Sequence, residues 1–358
     1  MKFLPITAAL LTAITITSCG TSEPSSAEGE SGALSVQLSF HEGLSWLPLP
    51  VAKKLGYFGD DLKIDVQTAN GSGYVTQQIL AGNVDVGWAG AADTIVAFSK
   101  DDSLRAFMCQ PPGELFQIVT RADSDIQQIG DLRGRKLGIT EKGGGEEPIV
   151  NAALSDVGIS PTSTSDITIL PIGAAGPQTL AAIQNGTVDA YASSYPDIIS
   201  LEVDGLELRN ITPEKYKGVP GDCLITTTAV LEKPEKRDQL VQFARGWTMG
   251  GTFALANYDA ALSIGCEAYP ADCENPEFAR AYVTEFLRLS QGDGTHAFGY
   301  VPLEDWQITD ELLAQSGIVP PGLDVTRLAD DDLVRTIREE ADSFDVAAVK
   351  QQAADYAG

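Results

Sequence analysis

The string GGGEEP at residues 143–148 joins a backbone that can approach a bound molecule closely to two carboxylates at the start of a helix. Gly144 and Gly145 carry no Cβ, and the free N–H groups of a helix start favour an anion. Glu146 and Glu147 occupy that same end, however. Like charges about 4 Å apart cost on the order of 4 kcal/mol at an effective dielectric near 20. The pair therefore repels an anion and can accept hydrogen bonds from amino or ring N–H groups, apart from the ordinary role of a first-turn Glu in balancing the helix dipole. Trp46, Trp88, Tyr191 and Tyr195 could form walls for a planar or apolar ligand, although Trp88 also reads as strand core. Asp93 follows Ala91-Ala92 at a helix start, as a cap or as a ligand acceptor, and His41 and Ser193 are further polar candidates. This is recognition chemistry rather than bond-making chemistry. The chain has two histidines, His41 and His296, and no motif sets either beside a serine; Ser194 lies in no nucleophile elbow. Cysteine spacing fits no zinc site, so neither a metal nor a cofactor is expected.

These residues fall on loops that a strand–helix alternation must position. Strands read at 34–40, 62–68 and 84–90, each followed by a helical segment; LRAFMCQ and LFQIVTR read as adjacent strands split by a Pro-Pro-Gly turn. The pattern restarts after Arg121, with strands at 136–140, 167–172 and 188–193. An internal echo links the halves: helix, Gly82, then Val84-Asp85, and helix, Gly186, then Val188-Asp189. Each glycine can end its helix and each Val-Asp starts a strand, which predicts two similar α/β lobes. Ligands bind such sheets beyond the carboxyl ends of their strands. Loops 40–48, 88–93, 140–147 and 192–197 would then converge on one cleft.

A basic start at Lys2, an apolar run to Ile16 and Ile16-Thr17-Ser18-Cys19 read as a secretory signal over residues 1–18. Its ending resembles a bacterial lipobox, which implies lipidation at Cys19 and a polar tether over 19–33. The lipid would hold the protein to the membrane; the expected location is outside the cytoplasm, anchored to the outer face of the bacterial cell membrane or periplasmic. A formal charge of −26 argues against nucleic acid and against docking on anionic lipid. With Cys19 set aside, four of the five cysteines remain, an even set that favours bridges in an oxidising compartment. Cys266 and Cys273 enclose a short loop, and Cys109 with Cys223 would close a long one.

GLSWLPLPVAKKLGYFGDDLKIDVQ, QQILAGNVDVGWAGAAD, SDIQQIGDLRGRKLGIT and NGTVDAYASSYPD, in that order, resemble the periplasmic-binding family that includes aliphatic-sulfonate, taurine, nitrate and thiamine-precursor receptors. The GYF turn, the AGNVD strand entry, DLRGRKLGI and the C-terminal FDVAAVK carry the likeness. It implies an α/β type II periplasmic-binding fold, two lobes joined by a two-segment hinge. Residues 34–115 with 223–358 would form one lobe and 116–222 the other, with crossings near Glu114–Arg121 and Cys223–Ala229. Cys109 and Cys223 would then lie near the hinge. The resemblance further implies a monomeric receptor that closes on a small molecule and hands it to an ABC permease and ATPase. A sensor that signals on closure and an enzyme are the rival classes; the family's enzymatic branch uses a Cys-rich motif that this chain lacks. The carboxylates at the cleft favour a neutral or cationic nitrogenous ligand of the pyrimidine, thiamine-precursor kind over a sulfonate, taurine or nitrate.

Overall fold

The computed structural model describes residues 32–69, 71–142, 145–291 and 296–356. The signal segment, Cys19, most of the tether and Gly144 lie outside the described residues. The chain opens with β1 (Leu34–Leu38), a tight 3-10 turn at Leu44–Trp46, α1 (Pro48–Leu55), β2 (Ile64–Thr68), α2 (Ser72–Leu80), β3 (Val86–Gly90), α3 (Ala91–Phe98) and β4 (Leu104–Gln110). A second run comprises β5 (Phe116–Arg121), β6 (Lys136–Ile139), α4 (Glu147–Asp156), β7 (Thr168–Pro171), α5 (Pro177–Gln184), β8 (Ala190–Ser194), α6 (Tyr195–Val203), β9 (Leu208–Asn210) and α7 (Glu214–Lys217). The chain then returns through β10 (Asp222–Thr227) and α8 (Thr228–Leu231) into α9 (Pro234–Ala256) and α10 (Tyr258–Ala268). It ends in α11 (Pro276–Ser290), α12 (Leu303–Gln315), α13 (Thr326–Ala329), α14 (Asp332–Ala341) and α15 (Val346–Asp355).

Two five-stranded sheets result, ordered β2-β1-β3-β10-β4 and β7-β6-β8-β5-β9. In each, three strands are parallel and the fourth position is filled by an antiparallel strand, β10 or β5. Each of those two strands follows an excursion through the opposite sheet. The internal echo has a structural basis in both halves. Gly82 and Gly186 end their helices at φ of 72° and 69°, and the following aspartates start the neighbouring strand. Asp85 accepts from the Ser35 amide at 2.9 Å, and Asp189 from the Lys136 amide at 2.8 Å.

Two sequence expectations need correction here. β4 and β5 do not form a hairpin, because β10 takes the place beside β4 while β8 and β9 take both edges of β5. The Pro-Pro-Gly segment is therefore a crossing between sheets. The return crossing runs over residues 211–221 rather than Cys223–Ala229, since β10 is already paired in the first sheet from Asp222. The two crossings lie side by side: the Glu114 amide donates to the Lys217 carbonyl at 2.6 Å and the Gly221 amide to the Pro111 carbonyl at 2.9 Å. A Cβ at Gly221 would stand 2.8 Å from the Gln110 carbonyl oxygen, so this contact requires glycine.

The C-terminal helices cover the first sheet and reach the second. Phe243 and Trp247 of α9 pack with Val36, Val86 and Trp88. Trp306 and Leu313 of α12 join a core with Ile95 of α3, whereas Leu312 joins the core of Ile139 and Ile149. Disulfides link Cys109 to Cys223 and Cys266 to Cys273. The first couples directly opposed residues of β4 and β10, beside both crossings.

Candidate functional site

A cavity of about 730 Å³ opens where the carboxyl ends of β1 and β3, the crossing segments and the start of α6 meet. Its lining includes Ser39, Phe40, His41, Ser72, Asp93, Gln110, Phe116, Gly145, Ser194, Tyr195, Asp222 and Tyr282. A cavity of about 640 Å³ between α12 and residues 321–326 lies off the strand ends and gathers no comparable set of convergent groups. The strand-end cavity is the one that the topology of open α/β sheets marks as a ligand site.

Its polar end is organised around Gly90. A Cβ there would meet Asp93 Oδ2 and Ser72 Oγ at 3.4 Å and Asp222 Oδ1 at 3.7 Å, so three polar side chains converge on the space left by a missing one. Ser72 Oγ accepts the Gly90 amide at 2.9 Å, which leaves its proton for donation. Asp222 is 8% exposed and receives the Ser39 hydroxyl. Burial pushes the Asp222 carboxyl up to about 6; the Ser39 bond opposes this and the Asp93 charge adds to it. Asp93 is exposed on the cleft, and desolvation by its surroundings raises its carboxyl above the ordinary range. Gln110 Nε2 donates to the Ser45 carbonyl at 3.2 Å, which fixes the amide orientation and leaves buried Oε1 without a partner. No Lys or Arg lines the cavity among the described residues.

The structure gathers His41, Asp93, Gly145 and Tyr195 on this cavity and sets the other described candidates elsewhere. Trp46 and Trp88 are fully buried, against each other at 6.0 Å between ring centroids and against Trp247 at 6.3 and 4.5 Å. Trp88 shares a strand face with Val86 and so points into the core. Trp46 supports the wall from behind, its ring tilted against that of Phe40 at 4.9 Å between centroids, and Phe40 faces the cavity. Tyr191 lies near the start of β8, fully buried, and donates to the Gly173 carbonyl at 2.8 Å. Ser193 is buried and bonds Asp197. Glu146 turns inward to accept from the Thr140 amide at 2.8 Å and from its hydroxyl, bracing its own loop rather than facing solute. Glu147 sits in the first turn of α4, off the cavity lining. Gly145 does line the cavity, and its closest neighbour is the Phe116 ring, 2.5 Å from a built Cβ. Sequence reasoning missed Asp222, Gln110 and the α11 aromatics Phe278, Tyr282 and Phe286. Tyr282 stacks on Tyr195 at 5.5 Å, with 3.3 Å between hydroxyls. An aromatic spacing of four on α11 was the available signal, but helix core explains it equally.

The second disulfide also serves this cavity. Asp272, inside the Cys266–Cys273 loop, accepts from the Leu44 amide at 2.7 Å, and Tyr269 bonds Glu42 at 3.3 Å. A C-terminal loop thereby holds the β1–α1 loop that carries Phe40 and His41.

Similar folds are found among solved structures. The periplasmic aliphatic sulphonate binding protein SsuA from Escherichia coli matches with a TM-score of 0.61 and 19% identity, over 83% of this chain and 91% of that one. The periplasmic nitrate-binding protein NrtA from Synechocystis PCC 6803 matches at 0.57 and 12%, over 89% and 90%. The ligand binding component of an ABC-type import system from Staphylococcus aureus matches at 0.58 and 12%, over 86% and 99%. No curated protein sequence matches significantly. These likenesses establish the two-lobed type II periplasmic-binding fold. The NMT1/THI5-like family profile matches residues 45–261, more than half of the chain, including the whole second sheet and every strand of the first except β1; the protein belongs to the NMT1/THI5-like family.

Proposed function

We propose that this chain is the extracytoplasmic solute-binding component of an ABC importer and that it captures a small nitrogenous heterocycle of the pyrimidine, thiamine-precursor kind. The observation that carries the ligand class is the cavity lining: aromatic rings and carboxylates, with no Lys or Arg among the described residues. Such walls suit a flat ring bearing N–H donors and oppose a sulfonate. Residues 34–115 with 222–358 form one moving body and the segment between them the other, the boundary set at the start of β10. Solute binds between them, closure removes it from water, and the permease recognises the closed pair. Differential affinity for the closed state supplies the shift, and no bond is made or broken. A signal segment over 1–18 and a lipid at Cys19 would keep the receptor beside its membrane partner. No described helix is long and apolar enough to cross a membrane.

A sulfonate or nitrate ligand is the second reading, favoured by the sulphonate and nitrate receptors that share the fold. A thermal-shift screen separates the two. Aminopyrimidines at about 100 times Kd should add about 2.7 kcal/mol to stability. Stabilisation by alkanesulfonates, taurine or nitrate alone sinks the heterocycle assignment.

A further inference from the structure

We propose that the Gly90 end of the cleft is a subsite for a planar amidinium-type cation, its N–H groups accepted by Asp93 and Asp222. The inference deepens the heterocycle reading and rests on the solute-receptor function. Its first support is charge without a partner. Asp222 is a buried carboxylate whose bonded neighbour is a serine hydroxyl, not a cation. Buried carboxylates are stable when paired or when protonated. Asp93 shows no bonded partner either, and both oxygens lie within 3.7 Å of one point. They are therefore no more than about 7 Å apart, close enough for one cation to relieve both charges. The geometry of Asp222 supplies the second support: the side chain is nine-tenths buried, Oδ2 takes the Ser39 hydroxyl, and Oδ1 stands 3.7 Å from the Gly90 Cβ position without a partner.

The shape of the site selects the cation. A bare metal ion is disfavoured, because no group of three or more His, Cys, Asp or Glu is arranged to hold one among the described residues. A cavity of about 730 Å³ walled by Phe40, Phe116 and Tyr282 also far exceeds an ion. An alkylammonium would satisfy the charge but leave the rings in contact with nothing flat. An amidinium, whether free or built into a protonated aminopyrimidine, has divergent in-plane N–H donors for separated acceptors and two apolar faces for aromatic walls. Ser72, with its proton available, can donate to an adjacent ring nitrogen.

The test compares benzamidine, its neutral isostere benzamide and an alkanesulfonate by calorimetry on the intact mature protein, for the natural chain and for Asp93→Asn and Asp222→Asn. Benzamidine should bind the natural protein at least about 100-fold more tightly than benzamide. Asp93→Asn should weaken benzamidine at least about tenfold and change benzamide less than about threefold. Asp93 faces the cleft, so this variant decides the matter even where Asp222→Asn fails to fold. Equal affinity for benzamidine and benzamide, or benzamidine binding indifferent to Asp93→Asn, overturns the subsite and leaves the receptor function standing. Binding of the alkanesulfonate alone overturns the subsite together with the heterocycle reading.

Discussion

Asp222 couples the stability of the empty receptor to pH in the direction opposite to most carboxylates. Its folded-state carboxyl titrates at about 6 and its unfolded-state carboxyl near 3.8. Between those values the folded chain holds the extra proton, so stability falls as pH rises through the window and is level above it. The span corresponds to at most about 3 kcal/mol. Asp93 from α3, Tyr195 from α6 and Tyr282 from α11 are the titratable groups that face it, and Ser39 is its hydrogen-bond donor. Urea unfolding of the natural protein should therefore give a larger free energy at pH 4.5 than at pH 7.5 relative to Asp222→Asn. Parallel pH curves for the two proteins would refute the assignment. A cationic ligand reverses the trend, because it binds the ionised form; benzamidine affinity should decline as pH drops through about 6. Only part of this chemistry was legible in the sequence. Asp93 announced itself by following a strand and two alanines at a helix start. Asp222 and Gln110 sit in strands that look like plain core, and they reach the cleft only because β10 pairs non-locally with β3 and β4. Trp46 and Trp88 failed as walls for the complementary reason: large rings on loop and strand ends fill a core as readily as they face a ligand.

The strand–helix repeat was readable because hydrophobic periodicity and helix-ending glycines are local signals. Pairing across Pro-Pro-Gly was not, since partner choice depends on a strand more than 100 residues later, as the 114-residue separation of Cys109 and Cys223 shows. The two disulfides should consequently behave differently. In the chain-entropy model, closing 114 residues stabilises by about 5 kcal/mol and closing seven by about 2.5. Replacing Cys109 and Cys223 together with serine should cost the most stability. Replacing Cys266 and Cys273 should cost less stability yet weaken ligand binding more, because Asp272 would no longer hold the Leu44 amide. Chemical unfolding and calorimetry on both variants check the ordering; equal loss of affinity in each would remove the clamp role from the short loop. At the hinge, Gly221→Ala forces a methyl against the Gln110 carbonyl and the Pro111 ring. It should change the lobe angle measured by small-angle scattering while leaving both sheets folded. An unchanged scattering profile with and without ligand would show that this contact does not set closure.

At the scale of the whole molecule, the C-terminal helices and the charge act together on how solute enters. Tyr282 of α11 rests on Tyr195, and Leu312 of α12 is buried in the second core, so the two bodies are tied by contacts beyond the hinge. Glu141, Asp93 and Asp272 line the cavity, in a chain of net charge −26. Local and global fields therefore both draw a cation and repel an anion. The two contributions separate by salt. Raising ionic strength from about 0.02 M to 0.5 M shortens the screening length from about 20 Å to under 5 Å, which removes the long-range field but spares contacts inside the closed cleft. Stopped-flow association of benzamidine should slow several-fold over that range, with dissociation little changed, while benzamide association stays constant. Asp93→Asn should keep the salt-dependent slowing and lose affinity mainly through faster dissociation, since one charge of a large set barely alters the distant field. A benzamidine association rate independent of salt would confine the electrostatic role to the subsite and leave the overall acidity as a property of the solvated surface alone.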